Sequence, residues 1–259
     1  MSLTRTGFKG LKLVFCEDIS SETREGFTNL GFTLIDRSTP SSKLHPEMPG
    51  DWAYGIYRFL PAIEYFQARP GQFRYIIWTD VRDVVFQTNP VVWLEKNLYP
   101  HQIVVAGLGH PIKKCPWNDP WVQACSPLSY ARVREAEAAA CGTFAGTANT
   151  MLQISEDIFN GCIGAQHPWA TDQGMLNILL RTAPYSSIAR IPRMGEGFTA
   201  QWFPDKNEDK TIYPDYGFPI FDKLTKTVYT PAGEPISILH LWDRDRAWTQ
   251  IMRENYARP

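Results

Sequence analysis

Short apolar runs bounded by glycine, aspartate or serine recur along the chain, a pattern typical of buried β-strands. These runs occupy residues 11–16, 31–36, 73–79, 102–108 and 236–242. A glycine-rich apolar stretch at 141–149 predicts one more strand. We expect these strands to form the interior of the molecule.

Between the strands, apolar spacing closer to 3.6 residues predicts helices. Asp51 is a candidate N-cap of the first helix, in which Pro61 can introduce a kink, and Pro90 suits the first turn of the second. Because strands and helices alternate, the sequence predicts an α/β fold with a mainly parallel, helix-covered sheet. The predicted helices cover residues 51–67, 89–98, 126–140, a segment from about Thr150, and 170–180.

Two further segments predict loops. Residues 110–121 are rich in proline and tryptophan, and residues 204–217 are polar and rich in turn-forming residues. A length of 259 residues with 44% hydrophobic content is enough for one sizeable core, so we expect a single domain over residues 1–259.

Charge and composition exclude several classes of partner. The 26 basic and 27 acidic residues nearly cancel, which argues against a nucleic-acid-binding chain. No apolar run approaches the roughly 18 to 20 residues of a membrane-spanning helix, and the first ten residues lack a signal-peptide core, so we expect a cytoplasmic protein. Five cysteines without metal-ligand spacing predict free thiols.

The stretch "YIIWTDVRDVVF" places Asp80, Arg82 and Asp83 directly after the strand at 73–79. In an open parallel sheet, ligands bind beyond the carboxyl ends of the strands. Two carboxylates at such a place can share a divalent ion, which in turn holds phosphate oxygens. Arg82, between the two carboxylates, would orient them or meet the bound ligand. The alternative is a solvated loop in which Arg82 forms a salt bridge.

The last predicted strand ends in "ILHLWDRDRAW", with His240 followed by Arg246 and Trp248. An imidazole can complete a metal site, and arginine suits a phosphate. A histidine on an apolar strand can instead be a core residue. Its pairing with the distant aspartates favours a metal ligand.

Three segments together resemble GT-A fold glycosyltransferases of the glycogenin-like group. "DVRDVVFQTNP" is similar to the Asp-x-Asp metal segment of that fold. "HLWDRDRAW" is similar to a C-terminal His-x-x-Gly-x-x-Lys-Pro-Trp motif, and "TDQGMLNILL" resembles an Asp-Gln-x-x-Leu-Asn helix. The matches follow the family order. The resemblance implies a Rossmann-like GT-A domain with a small C-terminal hairpin or loop region.

A metal-dependent, nucleotide-sugar-dependent transferase is the activity that this resemblance implies. Asp83 and His240 would hold Mn²⁺ or Mg²⁺, and Arg246 would neutralise the diphosphate of a UDP-sugar or, as a second choice, a GDP-sugar. Asp80 lies one residue early for the first aspartate of the motif, which falls on Val81, so Asp80 would bind the metal directly, through water, or hold the ribose. Trp248 would anchor the loop beside the donor.

Other candidate residues come with open alternatives. Gly142 and Gly146 would allow close approach of the sugar, or else serve strand packing. Arg58 would meet the diphosphate or the acidic cluster, or lie on the surface. Asp172 would act as a base toward the acceptor hydroxyl, or cap its helix; Gln173 is assigned to the donor site by the resemblance.

The resemblance implies a saccharide or a protein-linked hydroxyl as the acceptor, and the similarity of the C-terminal motif favours retention at the anomeric carbon. Trp117 and Trp121 could stack on an acceptor sugar or cover the core. Two other functions remain open: a non-catalytic domain that binds a sugar nucleotide or glycan, and, less in keeping with the Asp spacing, an Asp-based phosphatase.

Overall fold

The computed structural model describes residues 2–37, 55–165, 167, 170–192, 196–201 and 219–256. The predicted cap at Asp51 and the polar segment 204–217 lie outside the described residues. The helices are α1 Ser2–Arg5, α2 Ser21–Asn29, α3 Phe59–Gln67, α4 Pro90–Asn97, α5 Asn118–Cys125, α6 Pro127–Val133, α7 Ala148–Ala165, α8 Asp172–Leu179, α9 Tyr185–Ile188 and α10 Arg246–Tyr256. The strands are β1 Leu13–Cys16, β2 Thr33–Asp36, β3 Tyr75–Thr79, β4 Val84–Phe86, β5 Ile103–Pro111, β6 Glu137–Thr147, β7 Ala189–Arg190, β8 Thr199–Gln201, β9 Ile220–Asp222, β10 Thr227–Tyr229 and β11 Ile238–His240.

The central sheet has the order β3-β6-β5-β7. Strand β6 runs antiparallel to both β3 and β5, whereas β5 and β7 are parallel. Strands β1 and β2 form a separate parallel pair. The α/β class is therefore confirmed, but the expectation of a mainly parallel central sheet is wrong, because the long strand β6 enters it in the opposite direction.

A second, three-stranded sheet has β11 in the middle, antiparallel to β4 and parallel to β8. Strands β9 and β10 form the small C-terminal hairpin that the resemblance implied. This second sheet matters for function because β11 and the start of β4 carry two of the candidate metal ligands to the same place.

The apolar positions that predicted strands and helices form the interior. The main cluster packs α3, α7 and α8 against the central sheet, with Phe59, Phe144, Ile154 and Leu176 fully buried. Pro61 lies in the first turn of α3, where a missing backbone N–H leaves no hydrogen bond unmade. Residues 55–57 are also helical, and a turn at Arg58 separates them from α3, so the predicted helix is interrupted just before Pro61.

Residues 110–121, predicted as a loop, are mostly regular. Strand β5 continues to Pro111, a 3-10 turn follows at Ile112–Lys114, and α5 begins at Asn118. Pro120 is the third residue of α5, a first-turn position that tolerates proline. The prolines therefore lie at the end of β5 and in the first turn of α5, and the segment is not one long loop.

The helix predicted over residues 126–140 ends early. Ser126 caps α6 by accepting a hydrogen bond from Ser129 N, but this helix stops at Val133. The alanine run Ala138–Ala140 belongs instead to β6 and is almost fully buried. Tertiary burial against β5 outweighs the helix propensity of alanine, because small side chains allow close packing on both faces of β6.

All five cysteines are free thiols, as predicted, and all five are buried. Among the described residues, no helix has the length and apolar character needed to cross a membrane.

Candidate metal and phosphate site

Three chain segments converge at the end of β3. Asp80 follows the last residue of β3, and its backbone N–H donates to the carbonyl of Gly142 on β6. Asp83 precedes β4, and its carbonyl accepts from Leu241 N, directly after β11. His240 is the last residue of β11 and lies opposite Val84 of β4. The pairing of β4 with β11 therefore brings the distant histidine to the aspartates.

The three side chains are within reach of one ion. His240 Nε2 lies 3.3 Å from Asp80 Oδ2 and 3.8 Å from Asp83 Oδ1. One ligand atom from each residue lies within 4.8 Å of the other two. Asp83 and His240 are 4% and 2% exposed, so water screens them little. This confirms that the sequence-predicted aspartates and histidine lie together.

The donor set fits a divalent ion. His240 Nε2 is buried and makes no hydrogen bond within the described part of the chain, and it faces two carboxylates. Two carboxylate oxygens and an imidazole nitrogen suit Mn²⁺ or Mg²⁺, and a cation between them would give every one of these atoms a partner.

Gly142 forms the floor of this cluster. A Cβ atom at this position would lie 2.3 Å from His240 Cε1 and 2.6 Å from Asp80 Oδ2, far inside any van der Waals contact. The backbone of β6 therefore approaches the ligands as closely as it does only because residue 142 has no side chain.

Replacing Gly142 with alanine is expected to weaken Mn²⁺ binding at least about tenfold, because His240 and Asp80 must move apart to admit the methyl group. Isothermal titration with MnCl₂ measures this change. Gly164→Ala is the control, since among the described residues no atom beyond the neighbouring backbone of its own helix lies within 4 Å of a Cβ at that position. Equal Mn²⁺ affinity in the two variants would show that the cluster does not depend on the glycine.

Arg58 joins the metal cluster to α8. Its guanidinium lies 2.8 Å from Asp80 Oδ1 and 2.6 Å from Asp172 Oδ2. Burial raises the pKa of Asp80, but contacts with His240 and Arg58 outweigh it and lower this pKa to about 2. The surface alternative for Arg58 is wrong: it meets the acidic cluster, as the resemblance implied.

Asp172 is the first residue of α8. Thr171, not Asp172, is the N-cap, since Thr171 Oγ1 accepts from Gly174 N. Burial raises the pKa of the Asp172 carboxyl above its ordinary value, and the charge of Arg58 offsets this only in part. The carboxylate therefore has two partners: Oδ2 forms the ion pair with Arg58, and Oδ1 accepts a hydrogen bond from Gln173 N, 2.6 Å away in the first turn of α8.

Gln173 and Gly146 have structural contacts that the sequence did not reveal. Gln173 Oε1 accepts from Cys141 N at 3.0 Å, and its amide donates to Asn118 Oδ1, so the side chain fastens α8 to β6. A Cβ on Gly146 would lie 2.4 Å from the carbonyl oxygen of Gln102 on the neighbouring strand. Close strand packing accounts for this glycine, and donor contacts by either residue stay predictions.

A cluster of charges lies on the other side of the metal ligands. Arg82 Nη2 lies 3.7 Å from Asp83 Oδ2 and 3.3 Å from Asp243 Oδ2, and its side chain is 71% exposed. Arg244 follows in a short helical turn, with its Nε 3.5 Å from Asp243 Oδ1. Arg82 thus bridges two carboxylates while one face of its guanidinium stays open to solvent.

Arg246 and Trp248 occupy the start of α10. Arg246 is exposed and does not belong to the described residues that line the cleft, whereas Arg82 and Arg244 do. Trp248 is 9% exposed and packs with Val85, Leu239 and other residues of the second sheet. The phosphate role of Arg246 and the donor-side role of Trp248 stay predictions.

The cleft beside the cluster has a volume of about 1260 Å³. It opens between β1 and β3, and Asp80, Arg82 and Asp83 form part of its wall. The rest of the lining combines apolar side chains such as Phe15 and Ile77 with charged ones such as Lys12 and Arg74. A space of this size can hold a ligand as large as a nucleotide diphosphate with a sugar.

Trp117 and Trp121 lie at and near the start of α5, with ring centroids 5.9 Å apart. Trp117 packs against the main core, which favours the core-covering alternative for this residue. Contact with an acceptor sugar stays a prediction for both.

Sequence reasoning missed two residues of this region. Gln201, on β8, has its Oε1 2.6 Å from His240 Nδ1, and Arg244 faces the cleft. No sequence pattern indicated Gln201, because its hydrogen-bond partner His240 lies 39 positions away along the chain. Arg244 lies in the C-terminal segment that resembles the family motif, but the spacing of that motif matches its lysine to Arg246.

The chain matches no family model and no curated protein sequence. Solved glycosyltransferases are nonetheless similar in structure. All of this chain aligns with 90% of an active-site mutant of LgtC at 11% identity and a TM-score of 0.58. The galactosyltransferase LgtC in complex with donor and acceptor sugar analogues gives 12% identity and 0.56 over the same share.

The bifunctional glycosyltransferase WbbM, in its apo form, aligns with the whole chain at 11% identity and a TM-score of 0.62, and the alignment spans 46% of WbbM. These likenesses show that the chain has the GT-A fold of these glycosyltransferases, as the resemblance in the sequence implied. At such low identity they establish the fold, and the chemistry has to be argued from the site.

Proposed function

We propose that this chain is a metal-dependent glycosyltransferase that moves a sugar from a nucleotide-diphosphate donor to a hydroxyl of a saccharide or protein-linked acceptor. The observation that carries the proposal is the Asp80, Asp83 and His240 cluster at the carboxyl end of β3. Its position beside a large cleft, within a fold that glycosyltransferases share, supports a donor site there.

In this proposal Asp80, Asp83 and His240 hold Mn²⁺ or Mg²⁺. A bound divalent ion neutralises the charge that develops on a diphosphate leaving group. The chain adds positive charge of its own through Arg82 and Arg244, which flank the cleft. Fixed positive charge aimed at the departing diphosphate stabilises the transition state more than the ground state, because the negative charge grows during the reaction.

Arg58 and Asp172 would order the inner face of the site. Arg58 holds Asp80 and Asp172 at the same time, so both carboxylates keep a fixed orientation. Asp172, with its raised pKa, is suited to accept the proton of an acceptor hydroxyl once that hydroxyl displaces part of the Arg58 contact. Retention at the anomeric carbon and a UDP-sugar donor remain the favoured finer assignments, on the sequence resemblance.

Donor binding tests the proposal directly. A ligand that binds only the native state raises the melting temperature, so UDP-, GDP- and dTDP-sugars are to be screened with and without Mn²⁺. The expected result is a shift for one nucleotide class that requires the metal. Absence of any metal-dependent shift would contradict the proposal.

A hydrolysis assay uses the nucleotide-sugar that raises the melting temperature in this screen. It distinguishes a transferase from a non-catalytic sugar-nucleotide-binding domain of the same fold. Slow release of free sugar in the presence of Mn²⁺ is expected for the enzyme. Metal-dependent binding with no donor turnover, with or without added saccharide acceptors, would favour the non-catalytic alternative.

Two arginines two residues apart provide a matched test of the phosphate contact. Arg244→Ala is expected to weaken donor binding by about 1.5 kcal/mol, or roughly tenfold, because a charge-assisted hydrogen bond to phosphate is lost. Arg246→Ala is the control, since Arg246 is exposed like Arg244 but is not among the described residues that line the cleft. Titration calorimetry with the nucleoside diphosphate and Mn²⁺ measures both.

The opposite ranking is informative too. A larger loss in Arg246→Ala would assign the phosphate contact to the residue that the family motif indicates and remove Arg244 from the site. Arg244→Lys keeps the charge without the planar fork, and its affinity is expected to lie between wild type and Arg244→Ala.

A further inference from the structure

Gln201 is the hydrogen-bond partner of the candidate metal-binding histidine. Strand β8 runs parallel to β11, and Gln201 is the Cα partner of His240 in that register. The Oε1 atom of Gln201 lies 2.6 Å from His240 Nδ1. Both side chains are 2% exposed, so neither can exchange this contact for water.

This contact determines which imidazole nitrogen carries the proton. A neutral histidine has one N–H donor and one lone pair. The Gln201 amide is placed with Oε1 toward the ring, and because a carbonyl oxygen can only accept, this orientation requires the proton on Nδ1. The lone pair then lies on Nε2, the nitrogen that faces Asp80 and Asp83.

Nothing in the cluster itself favours this tautomer. Without a cation, a proton on Nε2 would be attracted to the two carboxylates, which lie 3.3 and 3.8 Å away. A proton on Nε2 would also leave no lone pair for a metal ion. The buried carbonyl of Gln201 opposes this arrangement from the other side of the ring.

We propose that Gln201 is a positioning residue that holds His240 as the Nδ1–H tautomer and so presents the Nε2 lone pair to the metal ion. This inference rests on the proposed function, since it assumes that the Asp80, Asp83 and His240 cluster binds a divalent ion. Metal-binding histidines generally donate their second N–H to a fixed acceptor, and loss of that acceptor weakens metal affinity about 10- to 100-fold.

Two substitutions at Gln201 separate the hydrogen bond from packing. Gln201→Met has nearly the same length and volume but no acceptor oxygen, and it is expected to weaken Mn²⁺ binding by about 10- to 100-fold in titration calorimetry. Gln201→Glu keeps an acceptor oxygen in the place of Oε1, and its Mn²⁺ affinity is expected to fall no more than about threefold below that of wild type.

Gln87→Met is the matched control. Gln87 is a hydrogen-bonded glutamine at the end of β4 whose side chain contacts Val228, Ile236 and Tyr256 rather than the cluster. Its loss is expected to lower the metal-free melting temperature while leaving Mn²⁺ affinity unchanged. A purely structural role for Gln201 would give the same result in Gln201→Met, and that outcome overturns the proposal.

The tautomer can also be read in the wild-type protein, so the proposal does not depend on a variant that folds. Two-bond ¹⁵N–¹H correlation spectra of the metal-free protein, at a pH where the ring is neutral, distinguish Nδ1–H from Nε2–H. The His240 signal is assigned by its absence in His240→Asn. An Nε2–H ring overturns the proposal.

The Mn²⁺ titrations distinguish failure of the proposed metal-dependent function from failure of the proposed role of Gln201. If wild type binds no Mn²⁺, the metal-dependent function fails whatever Gln201 does. If wild type binds Mn²⁺ and Gln201→Met binds it equally well, only the role of Gln201 fails.

Discussion

Replacing Asp83 with asparagine is expected to weaken Mn²⁺ binding by at least about a hundredfold and to abolish metal-dependent donor binding. Asparagine has nearly the same shape but lacks the negative charge that a hard divalent ion requires. Asp83 is 4% exposed and lies 3.8 Å from His240, so no water can take over its place in the cluster without rearrangement. Titration calorimetry with MnCl₂, followed by donor thermal shifts, measures both effects.

Asp243→Asn is the control for this variant. Asp243 also lies beside Arg82, at 3.3 Å, but it is not a member of the three-residue cluster. Its replacement removes the same charge from the same neighbourhood and is expected to change Mn²⁺ affinity no more than about threefold. If Asp83→Asn and Asp243→Asn lose Mn²⁺ affinity equally, the metal responds to local charge in general and the assignment of Asp83 as a ligand is wrong.

The metal cluster was predictable because each ligand is a polar residue next to or within an apolar run that is typical of a buried strand. Asp80 and Asp83 follow and precede apolar runs, and His240 lies within one, so these polar residues stand out against neighbours that are typical of buried strands. Strand-end placement then predicts that such residues meet at one edge of the sheet. Their actual meeting depends on the pairing of β4 with β11, which no local pattern specifies.

The antiparallel direction of β6, and its extension over the alanine run, could not be predicted from the sequence. Its alanines favour a helix by propensity, and only pairing with β3 and β5 makes them a strand. The same applies to Gln201, whose side chain has no periodic or motif signal. Tertiary contacts between distant segments determine both features, and a single sequence contains those contacts only implicitly.

Removing the charge of Arg58 is expected to destabilise the fold by about 3 kcal/mol near pH 8. Arg58→Met keeps an apolar stem beside Phe59 and Trp78 but leaves Asp80 and Asp172 without their shared cation. An ion pair that loses one partner leaves an uncompensated, poorly solvated charge, which costs more than an exposed pair contributes. Urea unfolding measures the change.

Arg74→Met is the control on the surface. Arg74 pairs with Glu95 at 2.9 Å, but the two side chains are 72% and 50% exposed. Such pairs contribute less than about 1 kcal/mol, because water screens them. A loss in Arg58→Met as small as that in Arg74→Met would show that the site tolerates unpaired carboxylates.

The pH dependence of Arg58→Met, compared with that of a double variant at Asp172, tests whether Asp172 rather than Asp80 is the source of the loss. Burial already raises the pKa of Asp172 in the native chain, and removal of Arg58 is expected to raise it further. A carboxyl whose pKa is higher in the folded than in the unfolded state destabilises the fold above its folded pKa, and this penalty disappears as the pH falls below the unfolded value. The stability gap between Arg58→Met and wild type is therefore expected to narrow from pH 8 to pH 4.

Adding Asp172→Asn to Arg58→Met replaces the unpaired carboxylate with a neutral amide, so the double variant is expected to recover about 2 kcal/mol at pH 8 and to lose most of this pH dependence. A gap that stays constant with pH, or a double variant no more stable than Arg58→Met, would place the cost in lost packing of the guanidinium rather than in a buried charge.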